Sequence, residues 1–220
     1  SLEICLAGIG MGSRDCMTKE VQQTIETADI LLGAERMIAD YSARIEKKSY
    51  YMAAQILPYL EKLQESEELA QQETLRVAVL FSGDTGFYSG CRKLYVELQE
   101  AIAAGQLRGS VRILPGISSV VSLAARVGES YEDAAILSMH GKKLNRLAAT
   151  VESHEKVFLL TSGCEDIRKI GQTLTEAGLG DCEVIAGYQL SYPEENIRIL
   201  TPEQCEEVTE KGLYTCLIRN

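Results

Sequence analysis

Histidine is nearly missing from this chain of 220 residues, which has only two. Its seven cysteines are odd in number, and no two stand at C-x-x-C spacing. Those two shortages argue against a zinc or other metal site and against a disulfide framework. Most of the cysteines fall in expected strands or helices, where a free thiol behaves as a small hydrophobe. The expected compartment is therefore a reducing cytoplasm. Positive charge is also short, with 22 Lys and Arg against 32 Asp and Glu, a net charge of −10. No basic stripe marks a nucleic-acid binder, although a cleft can still gather cations locally. No apolar run approaches the roughly 18 residues that a membrane helix needs. Ser1-Leu2-Glu3-Ile4 enters an expected strand with no charged leader or cleavage site, and Ser1 in place of Met points to a trimmed chain. What the chain has is 45% hydrophobic residues, enough core for one large domain or two small ones.

The densest signal is Ser82-Gly83-Asp84-Thr85-Gly86-Phe87-Tyr88-Ser89-Gly90. It follows the apolar run Val77 to Phe81, which reads as a buried strand, and precedes Cys91 to Ala104, which reads as an amphipathic helix. Two more glycine turns follow strands, Gly8-Ile9-Gly10-Met11-Gly12 and Pro115-Gly116-Ile117-Ser118-Ser119. In an open α/β sheet ligands bind outside the carboxyl ends of strands, so three such turns suggest one shared pocket. The first turn is not a dinucleotide fingerprint. It reads G-x-G-x-G rather than G-x-G-x-x-G, and the next helix starts late, near Thr18, too far on to hold a pyrophosphate. A P-loop is excluded because no G-K-[ST] follows.

The remaining pattern fills in an α/β chain. Strands are expected over Glu3 to Ile9, Asp29 to Leu32, Leu75 to Phe81 and Ser110 to Leu114. Thr18 is the expected cap of a helix running to about Ala28, and Met52 to Gln72 is helical in character but interrupted at Pro58. After Pro115-Gly116 come a helix from Ser118 to Val127 ended by Gly128, then strands at Ala134 to Met139, Val157 to Leu160, Glu183 to Ala186, Asn196 to Leu200 and Leu213 to Ile218. Helices are expected at Leu144 to Val151, Glu165 to Ala177 and Pro202 to Lys211. Two α/β domains follow, residues 1–114 and 115–220, the first sheet mainly parallel and the second mixed.

At this point the residues resemble the tetrapyrrole (corrin/porphyrin) methylases. The blocks that carry the resemblance are the three glycine turns, Ala28-Asp29-Ile30-Leu31-Leu32-Gly33-Ala34-Glu35-Arg36, Leu137-Ser138-Met139-His140-Gly141-Lys142, Leu159-Leu160-Thr161, and Gly187-Tyr188-Gln189-Leu190-Ser191-Tyr192-Pro193-Glu194-Glu195. They span essentially the whole chain, and the last ones are similar to the branch that methylates C5 of a corrin precursor. Met11 and Thr85 stand where the family often has proline, and Lys142 stands where that branch often has arginine, which alone could grip a carboxylate with two parallel bonds.

The resemblance implies S-adenosylmethionine as cofactor, bound in a cleft between the two domains. It places Met11, Asp84, Phe87, Ser118, Ser119, Leu160, Thr161, Gly187 and Tyr188 around the cofactor. Asp84 either bonds the cofactor or orders its loop, and Phe87 is either an apolar wall or core. The substrate bears many carboxylate arms, and the candidates to meet it are Gly10, Gly12, Arg14, Arg36, His140 and Lys142, with Lys143 and Arg146 nearby in sequence. The Tyr192 to Glu195 block is either a substrate-side loop or a turn of fixed register. No residue announces itself as a general acid or base. The expected partners are the tetrapyrrole itself, a separate decarboxylating C15-methyltransferase, since the chain stops at Asn220, and further copies of the chain in a homodimer or larger homo-oligomer. Other readings keep the fold with another ring position or a modified protein or RNA as substrate, or make the chain a noncatalytic binding module.

Overall fold

The structure, a computed structural model, describes residues 1–50, 52–139 and 144–220, with the side chain of residue 145 also left aside. The chain divides into two compact units, Ser1–Ser118 and Ser119–Asn220.

The first unit runs β1 (Leu2–Gly8), α1 (Lys19–Glu26), β2 (Ile30–Gly33), α2 (Glu35–Ile38), β3 (Glu46–Ser49), α3 (Ile56–Leu63), α4 (Glu67–Ala70), β4 (Leu75–Phe81), α5 (Cys91–Ala103) and β5 (Gly109–Leu114). Its sheet has the order β3-β2-β4-β1-β5, and every pairing is parallel. A parallel sheet covered on both faces needs strands that are apolar on both sides. In β1, Leu2, Ile4 and Leu6 join one buried cluster with Leu60 of α3 and Leu94 and Leu98 of α5. Cys5 and Ala7 point to the other face, where Val21 and Ile25 of α1 pack.

Local signals set the helix ends. The Thr18 hydroxyl accepts the Val21 N–H at 3.1 Å and starts α1. The expected break at Pro58 does not occur. Pro58 is the third residue of α3, in the first turn, where backbone N–H groups have no partner inside the helix to lose. The helix stops later, and Ser66 opens α4 by accepting the Leu69 N–H at 3.5 Å.

Two elements are additions to the expectations. The short helix α2 follows β2 directly, and β3 is an edge strand whose four residues, Glu46 to Ser49, are all exposed. Asp29 ties that edge on. Its backbone carbonyl accepts the Ile45 N–H at 2.8 Å. Its side chain, 7% exposed, accepts Arg44 Nε at 2.6 Å and the Arg76 N–H at 2.8 Å. Burial alone would raise the carboxyl pKa, but those two bonds outweigh it and hold Asp29 below the ordinary carboxylate value.

The second unit runs α6 (Ser119–Val127), β6 (Ala135–Ser138), α7 (Leu147–Ser153), β7 (Lys156–Leu160), α8 (Cys164–Glu176), β8 (Glu183–Tyr188), β9 (Asn196–Leu200) and β10 (Tyr214–Arg219). The sheet order is β6-β7-β10-β8-β9, with β6 and β7 parallel and the other pairings antiparallel. The sheet is mixed, as expected. Its core gathers Val151 of α7, Ile167, Ile170 and Leu174 of α8, and Val184 and Cys216 of the sheet. The helix expected over Pro202 to Lys211 shrinks to a 3-10 turn, Glu203–Glu207, because Val208 turns extended and is itself fully buried. No helix of the described residues is long and apolar enough to cross a membrane.

Candidate functional site

Three loops meet at the carboxyl ends of β1, β4 and β5. They meet because β1 lies between the other two strands, with Gly8 beside Phe81 and Ala7 beside Leu114. Beyond the strands the pairing continues, since Gly10 and Gly83 exchange backbone bonds of 3.2 and 2.7 Å. Side chains have no room there. A Cβ on Gly116 would stand 2.2 Å from the Gly83 carbonyl oxygen and 2.7 Å from the Gly8 carbonyl carbon. Gly10 has a φ of 62°, and a Cβ there would meet the Cys16 carbonyl at 2.8 Å. The glycines are therefore required by contact between backbones, and the bare loop surface they leave suits close approach by a ligand.

Asp84 locks this arrangement. Its Oδ1 accepts the Gly116 N–H at 2.9 Å and its Oδ2 accepts the Gly86 N–H at 3.1 Å. One bond closes a local Asx turn and the other ties the β4 loop to the β5 loop. Beside it the buried Thr85 hydroxyl donates to the Leu114 carbonyl at 3.2 Å, a second tie, from the β4 loop to the end of β5. Burial, and then the charge of Asp84, push the Cys91 thiol up to about 11, so Cys91 at the start of α5 is inert. Phe87 is half-buried and meets the Tyr88 ring edge-on at 5.6 Å. Tyr88 is 52% exposed and holds a φ of 49°. A left-handed tyrosine is strained, and such strain gathers at ligand sites.

The other candidates of this unit follow β1, β2 and β5 in the chain. Gly10 is buried, Met11 and Gly12 are half-buried, and Arg14 is exposed in a short 3-10 turn with its guanidinium 5.9 Å from the Tyr41 ring centre. Arg36 is exposed on α2, at the end of β2 rather than of β1. Ser118 is 4% exposed.

In the second unit Ser119 is the first residue of α6. Leu160 and Gly187 flank the same residue of β10, Thr215, so the ends of β7 and β8 lie level. The Thr161 hydroxyl donates to the Tyr214 carbonyl at 2.6 Å and is buried. Tyr188 donates to the Lys211 carbonyl at 2.9 Å, and its ring lies 5.0 Å from that of Tyr214. The Tyr192 to Glu195 block is a pinned turn. Glu195 accepts the Ser191 N–H at 2.8 Å and Arg126 Nε at 3.2 Å. The Ser191 bond leads in holding its carboxyl below the ordinary value, against some burial and with help from Arg126. His140 and Lys142, with Lys143, lie outside the described residues.

The sequence reading passed over a cavity of about 240 Å³ at the ends of β2 and β4, with Tyr50 in its wall. Tyr50 lies in a stretch without periodicity, between a charged edge strand and a helix, so no pattern marked it.

Together, the parallel sheet, the glycine loops stacked on its carboxyl ends and the mixed second sheet define a class. The model of the tetrapyrrole (corrin/porphyrin) methylases matches residues 3–205, and the chain belongs to that family. Within it, the chain is 28% identical over 217 residues to the probable cobalt-precorrin-7 C(5)-methyltransferase of Methanocaldococcus jannaschii, covering 97% of this chain and 96% of that one. It is 27% identical to the cobalt-precorrin-7 C(5)-methyltransferase of Salmonella typhimurium, covering 90% of each. The decarboxylating precorrin-6Y C(5,15)-methyltransferase of a Sinorhizobium species is 26% identical over 80% of this chain but only 40% of its own length. Among solved structures, the uroporphyrin-III C-methyltransferase of Thermus thermophilus complexed with S-adenosylhomocysteine superimposes with a TM-score of 0.69 at 16% identity, covering 99% of this chain and 97% of that one.

Proposed function

We propose that this chain transfers a methyl group from S-adenosylmethionine to C5 of a corrin precursor, converting cobalt-precorrin-7 to cobalt-precorrin-8 in cobalamin biosynthesis. The observation that carries the reading is similarity along nearly the full length to relatives of that name. When bound, S-adenosylmethionine would supply a methyl group whose bond to the sulfonium breaks with the electron pair left on sulfur, and the corrinoid would release one proton to water in exchange for the methyl group. Little acid–base chemistry is needed, so the chain's work is to hold two reactants in line and keep water out, worth several kcal/mol of barrier.

The cofactor contacts we propose in the first unit are Met11, Asp84, Phe87 and Ser118. Asp84 acts by fixing the loop, a role supported by its two backbone bonds. In the second unit they are Ser119, Leu160, Thr161, Gly187 and Tyr188. Gly10, Gly12, Arg14, Arg36, His140 and Lys142 are proposed for the substrate. Carboxylate arms favour the arginines, which are exposed and form charge-assisted bonds. A separate decarboxylating C15-methyltransferase is the proposed partner, supported by the longer relative that joins both activities in one name. A homodimer or larger homo-oligomer, and a reducing cytoplasm consistent with seven free cysteines, complete the reading.

The test is anaerobic incubation with cobalt-precorrin-7 and methyl-labelled S-adenosylmethionine. One labelled methyl group at C5, located by mass spectrometry and NMR, is the expected product. An unmodified corrinoid from protein that binds S-adenosylhomocysteine refutes the C5 assignment.

A further inference from the structure

The cavity at the ends of β2 and β4 lies where sheet topology opens a crevice. From β2 the chain runs outward to β3 at the edge, whereas from β4 it runs the other way, past β1, to β5. The two loops diverge, and a crevice between diverging loops is where α/β sheets take ligands. All the described residues of its wall belong to the first unit.

Its chemistry is two-sided. Met52 and Tyr88, 65% and 52% exposed, are large apolar side chains in the wall that water reaches. The residues of the wall that carry hydroxyls are Ser82, Ser89, Tyr50 and Tyr88. Ser89 Oγ accepts the Cys91 N–H at 3.2 Å, which leaves its own proton to donate. Tyr50 is the unusual one. Its backbone N–H is bonded to the Gly33 carbonyl at 2.9 Å, and its ring meets Tyr59 edge-on at 6.0 Å. Yet its hydroxyl is the one buried side-chain polar atom without a hydrogen-bond partner among the described residues. A buried polar group is almost always bonded, and one that is not calls for a reason. The neighbouring Tyr59 hydroxyl has taken Glu46 instead. Burial, with Glu46 adding to it, raises the Tyr50 pKa, so this hydroxyl stays a donor.

We propose that this cavity receives one acetate or propionate arm of the tetrapyrrole, and that the arm's oxygen gives the Tyr50 hydroxyl its missing partner, with Met52 and Tyr88 against the apolar edge of the ring. The proposal rests on the corrinoid reading above. At about 240 Å³ the cavity is smaller than the roughly 300–1,000 Å³ of a pocket that swallows a whole ligand, and fits an arm rather than a macrocycle. The hydroxyl exposes almost no surface, so the proposal has the ring turn towards the arriving arm. Tyr50 thereby selects substrates that carry an acceptor at that corner of the ring.

The experiment compares wild type with Tyr50→Phe, which removes one oxygen that bonds nothing among the described residues. Each protein, saturated with S-adenosylhomocysteine, is titrated anaerobically with cobalt-precorrin-7 while the corrinoid absorbance is followed. Affinity for S-adenosylhomocysteine and Tm are measured alongside. The expected result is a corrinoid Kd about tenfold weaker, equivalent to about 1.4 kcal/mol, an unchanged S-adenosylhomocysteine Kd, and a Tm equal to or above wild type. An equal corrinoid Kd overturns the subsite and leaves the C5 reading standing. A fall in Tm together with loss of both affinities makes Tyr50 structural and also overturns it. Wild type that does not bind cobalt-precorrin-7 overturns both.

Discussion

Asp84→Asn is the substitution that separates the two roles of the glycine-loop carboxylate. The wild-type side chain accepts two backbone N–H groups, at 2.9 Å from Gly116 and 3.1 Å from Gly86. Asparagine has the same shape but only one oxygen, so one N–H loses its acceptor and faces an amide NH2. Hydrogen bonds to charged acceptors contribute about 1.5–3 kcal/mol each. Asp84 is half-exposed, so water replaces part of that, and a net loss of about 1–2 kcal/mol follows. In a chain of this size that lowers Tm by roughly 2–8 °C. Asp84→Ala removes both bonds and falls further. Thermal unfolding gives the stability, and calorimetry with S-adenosylhomocysteine gives the cofactor affinity. If Asp84 fixes the loop, the two losses grow together from Asn to Ala. An unaltered Tm with cofactor binding abolished in both variants would refute that reasoning and make Asp84 a direct ligand.

Two further outcomes follow from geometry already described. Gly116→Ala puts a methyl group into backbone on two sides and is expected to cost about 1–3 kcal/mol or more, with weaker S-adenosylhomocysteine binding; a Tm equal to wild type would show that the loops are not in contact. Asp29 has a folded pKa below its unfolded value of about 3.9, so its contribution is complete above that pH and is lost as pH falls through the folded value. Asp29→Asn is accordingly expected to be less stable at pH 7 and to show a flatter acid limb in urea unfolding followed from pH 6 downwards, and parallel limbs for the two proteins would count against the Arg44 and Arg76 bonds.

The residues most legible in the sequence were those under strict physical constraint. β4 spans Leu75–Phe81 as expected, because a strand buried on both faces must be a continuous apolar run. The glycine loops were legible because contact with backbone admits no Cβ at Gly8, Gly10 and Gly116, and Gly83 holds a positive φ. β3 was illegible for the opposite reason: Glu46-Lys47-Lys48-Ser49 buries nothing and joins the sheet through backbone bonds alone. Charged residues at a sheet edge also discourage pairing with another chain. Pro58 misled because its meaning depends on where a helix starts, which here only the fold decides. The Asp84 tie to Gly116 crosses 32 residues, and nothing in local spacing announces it. Tyr50 stayed hidden because a missing partner is a property of packing.

The place of β1 in its sheet has a consequence for synthesis. Leu2 pairs with Leu75 on one side and with Gly109 on the other, so β1 waits 73 and then 107 residues for its neighbours. At about 5–20 residues per second both edges of this apolar strand stay unpaired on the ribosome for about 4–15 s, and the edge that awaits β5 for about 5–20 s. Nascent-chain aggregation and chaperone demand in this protein should therefore peak before β5 emerges, and fall once it has.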